Sequence, residues 1–211
     1  MNLTEMRALV RKDLHDEDPL NYRWTDAELD RHIARAVKEF SEAIPLEQKA
    51  VLVTVSGSRE ISLDTLTNRI MIGAVEYPLG RFPPNYQRFA FWNETLTLLG
   101  SEVPDGSNCQ VYYGKLHTLD GSSSTLPPQF EDLAATGAAG YAASEQGAYT
   151  INQVNNGGPG TSGEWREWAR EKLDFFREGL KRFGRRNRVR ARQLYTPYNP
   201  PASKSTDWGP Q

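Results

Sequence analysis

Ser162–Arg192 reads SGEWREWAREKLDFFREGLKRFGRRNRVRAR, and two different demands share this one stretch. Trp165, Trp168, Ala169, Leu173, Phe176, Leu180 and Phe183 recur at steps of three and four, the signature of a helix with one buried stripe. The spacing predicts that helix from about Ser162 to Phe183. From Lys181 onward the same stretch carries Lys181, Arg182, Arg185, Arg186, Arg188, Arg190 and Arg192 with no acid among them. A few cations complement the negative end of a helix dipole, but seven in twelve residues exceed that need. Beyond them Tyr195, Pro197, Tyr198, Pro200, Pro201 and Trp208 sit among small and polar residues, a composition that favours extended backbone and supplies little for a core. Residues 184–211 are therefore expected to form an extended arm whose aromatic groups find cover on another molecule.

The stripe needs helices to pack against, and the N-terminal segment offers two. Leu3, Met6, Val10 and Leu14 share one side of a short helix predicted over Thr4–Leu14, with Thr4 placed to cap it. Thr25 and Glu28 have capping-box spacing. After them Leu29, Ile33, Ala36, Val37, Phe40 and Ile44 keep the helical step until Pro45 ends it. Trp24, just before the cap, suits a hydrophobic staple. Past Pro127 and Pro128 a third helix is expected, with Phe130, Leu133, Ala134, Gly137, Ala138, Gly140, Tyr141 and Ala142 on a face of small residues. Gly137 and Gly140 each cost about 1 kcal/mol relative to Ala inside a helix, so they mark a place where a neighbour comes close. Residues 146–163 read as a flexible loop, and Ser162 as the cap of the last helix.

Between Gln48 and His117 the period falls to two. Val51, Val53 and Val55, then Ile61 and Leu63, then Ile70, Ile72, Val75 and Tyr77, then Phe89 and Phe91, Leu96 and Leu98, and Val111 and Tyr113 mark about six short strands. Asn93 and Glu94 make the turn of a hairpin. The fold class is α+β: a bundle of about four helices, residues 1–46 and 126–183, with a small antiparallel β domain inserted at 47–118 and the extended C-terminal arm at 184–211.

Chemistry is sparse. The 211 residues carry a formal net charge of −2, so without the seven cations the remainder stands near −9, an acidic body with a basic tail. Cys109 is the one cysteine, which rules out an internal disulfide. His15, His32 and His117 lie in different elements without metal-ligand spacing. Asp13, Asp16, Glu17 and Asp18 read as a solvated acidic loop. Gly158–Glu164 (GPGTSGE) lacks the lysine of a phosphate loop. No enzyme activity, metal or cofactor is expected. Nor does the chain present a signal peptide or a membrane span, so a non-secreted protein without membrane contact is expected.

Several segments together resemble the head-to-tail adaptor, or connector, proteins of tailed bacteriophages and gene transfer agents. They are the short first helix, RWTDAELDRHIARAVKEFSEAIP (Arg23–Pro45), VEYP (Val75–Pro78), YYGKLHTLDGSSSTLPPQFEDLAATGAAGYAA (Tyr112–Ala143), and the last helix with its basic tail. The resemblance implies a structural virion protein at the neck, assembled from the host cytoplasm as a ring of subunits, usually twelve. That ring docks under the portal protein, receives a stopper or tail-completion protein on its other face, and leaves a channel for double-stranded DNA. On this basis Arg185, Arg186, Arg188, Arg190, Arg192, Tyr195, Pro197, Tyr198 and Trp208 are the expected portal-binding arm. Gly137, Gly140, Tyr141, Trp165, Trp168 and Phe176 are the expected subunit-packing residues. The alternative is a nucleic-acid-binding module that uses the same arginines on phosphates.

Overall fold

In the computed structural model, residues 1–82, 84–100, 103–152 and 161–193 are described, with side chains followed as far as Arg185. The chain divides into two compact units, one of Met1–Ile44 with His117–Gly184, the other built on Pro45–Leu116.

Four helices make the first unit: α1 (Leu3–Asp13), α2 (Asp26–Ala43), α3 (Glu131–Tyr149) and α4 (Ser162–Gln193). Local chemistry sets their starts. Asn2, not Thr4, caps α1, its side chain accepting from the Glu5 N–H while Glu5 returns the bond to the Asn2 backbone. Thr25 and Glu28 form the same reciprocal pair at α2. At α4 the cap is Thr161, which accepts from the Glu164 N–H, while the Ser162 hydroxyl donates to the Gly147 carbonyl instead. Helix α3 reaches Tyr149 and continues as a 3-10 turn to Asn152, so residues 146–152, expected as loop, are helical, while residues 153–160 of that expected loop lie outside the described residues.

The apolar periods become one core. Met6, Val10, Leu29, Ile33, Ala36, Val37 and Phe40 bury beside Ala134, Ala138, Ala142, Ala169, Leu173, Phe176 and Leu180. Trp24 is buried there too, its ring edge-on to Trp165 at 5.8 Å, so it packs as a staple does. Helix α3 has buried residues on every side, from Leu133 to Ala143, which makes it the helix the other three surround.

The second unit holds six strands in two antiparallel sheets: β1 (Leu46–Val53), β6 (Asn108–Lys115) and β3 (Arg69–Glu76) in one, and β2 (Glu60–Ser62), β5 (Thr95–Leu98) and β4 (Phe89–Trp92) in the other. Strand β1 pairs β6 with Val51 opposite Gln110, and β4 pairs β5 with Trp92 opposite Thr95. Asn93, at φ +53°, takes the left-handed conformation that the hairpin between β4 and β5 requires. Ile61, Leu63, Ile72, Val75, Leu96, Leu98, Cys109 and Val111 form this unit's own core.

Candidate functional site

Packing of α4 on α3 accounts for the two glycines that the sequence singles out. A Cβ built on Gly137 would lie 2.9 Å from ring carbons of Phe176, and one on Gly140 would lie 2.9 Å from Leu173. Gly179 repeats the device from the other side, 2.8 Å from Leu133. Phe176 is wholly buried as a result. These small residues are thus used within one chain, where they let two helices approach closely.

Around that seam the remaining named residues divide by exposure. Tyr141 is buried, its phenol pushed up by that burial, and the Arg35 guanidinium lies 3.9 Å over its ring. Trp165 and Trp168 are half-buried, with Arg23 4.9 Å over the first and Lys172 5.1 Å over the second. Each tryptophan therefore leaves part of its face at the surface with a cation beside it.

Helix α4 does not stop at Phe183. Its backbone stays helical to Gln193, ten residues further, which corrects the expectation that the extended arm begins at residue 184. The physical reason lies in composition: Gly184 is the only weak helix former before Gln193 apart from Asn187 and Val189, and arginine is among the better ones. Gly184 also fits against the Ala43 carbonyl, where a Cβ would come within 3.1 Å. Arg185, Arg186, Arg188, Arg190 and Arg192 consequently belong to a helix, at successive spacings of one, two, two and two. The arm residues Tyr195, Pro197, Tyr198 and Trp208 lie outside the described residues. At ~1.5 Å per residue the 32 residues of α4 span about 48 Å.

Buried ion pairs are the part of the helical unit that periodicity does not reveal. Arg11 is buried and donates to Asp16 (2.5 Å), Asp26 (2.8 Å) and the Trp24 carbonyl (3.0 Å). Asp16 in turn accepts from the Arg23 N–H at 2.7 Å. The acidic run at 13–18 is therefore not a freely solvated loop: one of its carboxylates is a buried tie that fixes the connection between α1 and α2. The available signal was Arg11 itself, a charge on the core side of a short helix.

His32 contacts Glu145 at 2.6 Å, and Arg31 pairs with the other oxygen of that carboxylate. Burial lowers the His32 pKa, with Glu145 working against the shift. His117 sits buried between two carbonyls, 3.1 Å from Ile44 and 2.9 Å from Thr125, and its N–H donates to Ser41. Both histidines are held by structural partners. Among the described residues no three His, Cys, Asp or Glu side chains gather as a metal ion would need, and no helix is long and apolar enough to cross a membrane.

The β unit presents a different surface. Val51, Val53 and Val55, whose alternation marks a strand, face outward, and Val53 is 72 % exposed. Trp92, at the β4–β5 hairpin, is 87 % exposed. Cys109 is buried and burial pushes its thiol up, so it has the surroundings of a packing residue.

Among the described residues this arrangement offers contact surfaces. A family model described as SU10 adaptor protein matches residues 1–201 of the chain. No curated protein matches it.

Proposed function

This chain belongs to the SU10 adaptor protein family, and from that premise we propose that it forms a ring, of twelve copies, that docks on the portal protein and joins capsid to tail. As a member of that family it is a structural adaptor of a bacteriophage. In the proposed ring the inner opening passes double-stranded DNA, and a stopper or tail-completion protein binds the opposite face. The neck is then its place in the virion, after assembly in the host cytoplasm. Its work is geometric, with no catalytic step and no cofactor.

One observation carries the portal contact. Helix α4 outlasts the core that supports it by ten residues, and that overhang holds Arg185, Arg186, Arg188, Arg190 and Arg192 with no acid. A cationic helix end is suited to an acidic groove on a partner, and in sequence it is followed by Tyr195, Pro197, Tyr198 and Trp208. Repetition around a ring multiplies a modest single contact. Subunit packing draws on the half-exposed Trp165 and Trp168 of the same helix, on a surface backed by Gly137, Gly140, Tyr141 and Phe176.

Removal of residues 185–211 tests the proposal, because the helical core closes at Phe183. The truncated chain is expected to keep a cooperative thermal unfolding transition, with the helical signal reduced by the nine helical residues removed, and to lose co-sedimentation with portal rings. Full portal binding by the truncated chain defeats the assignment. Binding of free duplex DNA by the full chain, steeply salt-dependent and lost on truncation, favours the nucleic-acid reading instead.

A further inference from the structure

Four sheet edges exist in the β unit, and they are not treated alike. A strand edge exposes unpaired N–H and C=O groups, and proteins guard it by keeping it short, by charge, by bulges or by a covering segment. Strand β2 has three residues, beginning with Glu60. Strand β3 shows register shifts between Arg69 and Met71 and between Ile72 and Ala74, and beyond it Tyr86 bridges Glu76 while the Gln87 N–H donates to Val75. These two edges are guarded.

The other two are guarded less: among the described residues no isolated bridge lies along either. In β1 the half Ala50–Val53 has neither charge nor proline, and Val51 and Val53 stand exposed, followed by Val55. In β4 the sequence is Phe-Ala-Phe-Trp, with Phe91 51 % exposed. Both strands lie at the end of their sheets' strand order. Leaving two apolar edges open invites pairing with another chain, so an occupant is to be expected.

We propose that β4 of one copy adds to the β1 edge of a second copy of this chain, antiparallel, so that the β unit supplies a head-to-tail contact between neighbours. The two patches differ in kind, valines against aromatics, and aromatic beside β-branched is a favoured cross-strand pairing. Charge favours that direction. With Val51 opposite Trp92, the exposed Lys49 runs past the end of β4 towards the turn that carries Glu94, which stays half-exposed although Arg69 already holds it at 2.9 Å. A pairing of two unlike surfaces is heterologous, the kind of contact from which a ring is built when the rotation between copies closes; pairing β1 with β1 would stop at a dimer and leave β4 open.

Area sets the strength. An aromatic side chain contributes ~150–250 Å² when buried, so Phe91 and Trp92 with the three exposed valines offer on the order of 500 Å², roughly a third of a standard interface of ~1,600 Å². Such a contact is too small to hold two free chains together, but it adds to other contacts when each copy makes it twice. The inference rests on the ring reading.

Cysteine pairs test it in the full chain, alone and mixed with portal protein, with rings counted by negative-stain electron microscopy. Buried Cys109 does not compete for cross-links. Val51→Cys with Trp92→Cys in one chain is expected to give, under mild oxidation of rings, a covalent ladder on a denaturing gel. Each single variant is expected to stay monomeric on that gel. Val51→Glu is expected to lower the ring fraction about tenfold, as loss of a central contact does, and Trp92→Lys added to it restores rings. Dimers from either single cysteine variant would mean symmetric edge pairing and overturn the proposal. Rings that form without any cross-link in the double variant overturn it too, while leaving the ring reading intact. No rings in any preparation removes both.

Discussion

Of the large apolar side chains that stand exposed among the described residues, nine lie between Pro45 and Leu116 and five in the longer helical unit. Both units have a sealed core, so the contrast is not between a folded and a poorly folded part. In the helical unit one stripe per helix meets one central helix, and nearly every apolar group on a stripe is used up inside. The β unit spreads fewer residues over two three-stranded sheets, each with two edges, and its apolar residues also occupy the outward faces of β1 and β4. Apolar surface has a different meaning in each: internal stability in one, contact with something else in the other.

Replacement of Phe176 strains this contrast most. The ring is fully buried and fills the space that Gly137 leaves open, so Phe176→Ala removes the side chain and leaves a cavity that two backbones in close approach cannot easily collapse into. A loss of about 3–5 kcal/mol is expected in chemical denaturation. A loss under about 1 kcal/mol would mean that the α3–α4 seam is not the centre of this unit's stability.

An effect of intermediate size comes from His32. Burial holds its pKa below the ordinary 6.5, while Glu145 from α3 opposes that and Arg31 and Arg35 from α2 add to it. The unfolded chain therefore binds a proton that the folded chain resists, and stability falls as pH drops below 6.5. Glu145 is shifted down from its ordinary 4.5, chiefly by its bond with Arg31, so its own contribution is lost in a lower window, as pH falls below that value. Denaturation midpoints between pH 7 and pH 5 should fall in the wild type and fall less in His32→Gln. An unchanged slope in the variant would place the sensitive group elsewhere.

The helical unit was largely legible in the residues, because period and caps are local. Leu29, Ile33, Ala36, Val37 and Phe40 at helical steps are the buried residues of α2, and Thr25 with Glu28 is its cap. Neighbouring caps were harder: Asn2 and Thr161 lie one or two residues from Thr4 and Ser162, and several polar residues in a row offer equivalent oxygens. The end of α4 was misplaced because the apolar stripe ends at Phe183, whereas a helix whose residues favour helix can continue without one. The tie between Arg11 and Asp16 was illegible, since a buried charge pair leaves no periodic trace. In the β unit alternation located strands well but could not tell which face is covered. Val51, Val53 and Val55 satisfy the two-residue period equally well whether they point into a core or away from it.

Trp92 makes the sharpest test of the contrast although its effect on the free chain is the smallest. It is the bulkiest side chain at the β4–β5 hairpin, and a core residue of that size would cost about 3–5 kcal/mol on truncation to alanine. At 87 % exposure it has little to lose, so Trp92→Ala should change the unfolding free energy of the isolated chain by no more than about 0.5 kcal/mol. The same substitution should matter only where copies meet, by shifting the concentration at which rings appear. A stability loss on the scale of Phe176→Ala would show that the hairpin is packed in the free chain. The two units would then use their apolar residues alike, and the β surface would have nothing left over for a neighbour.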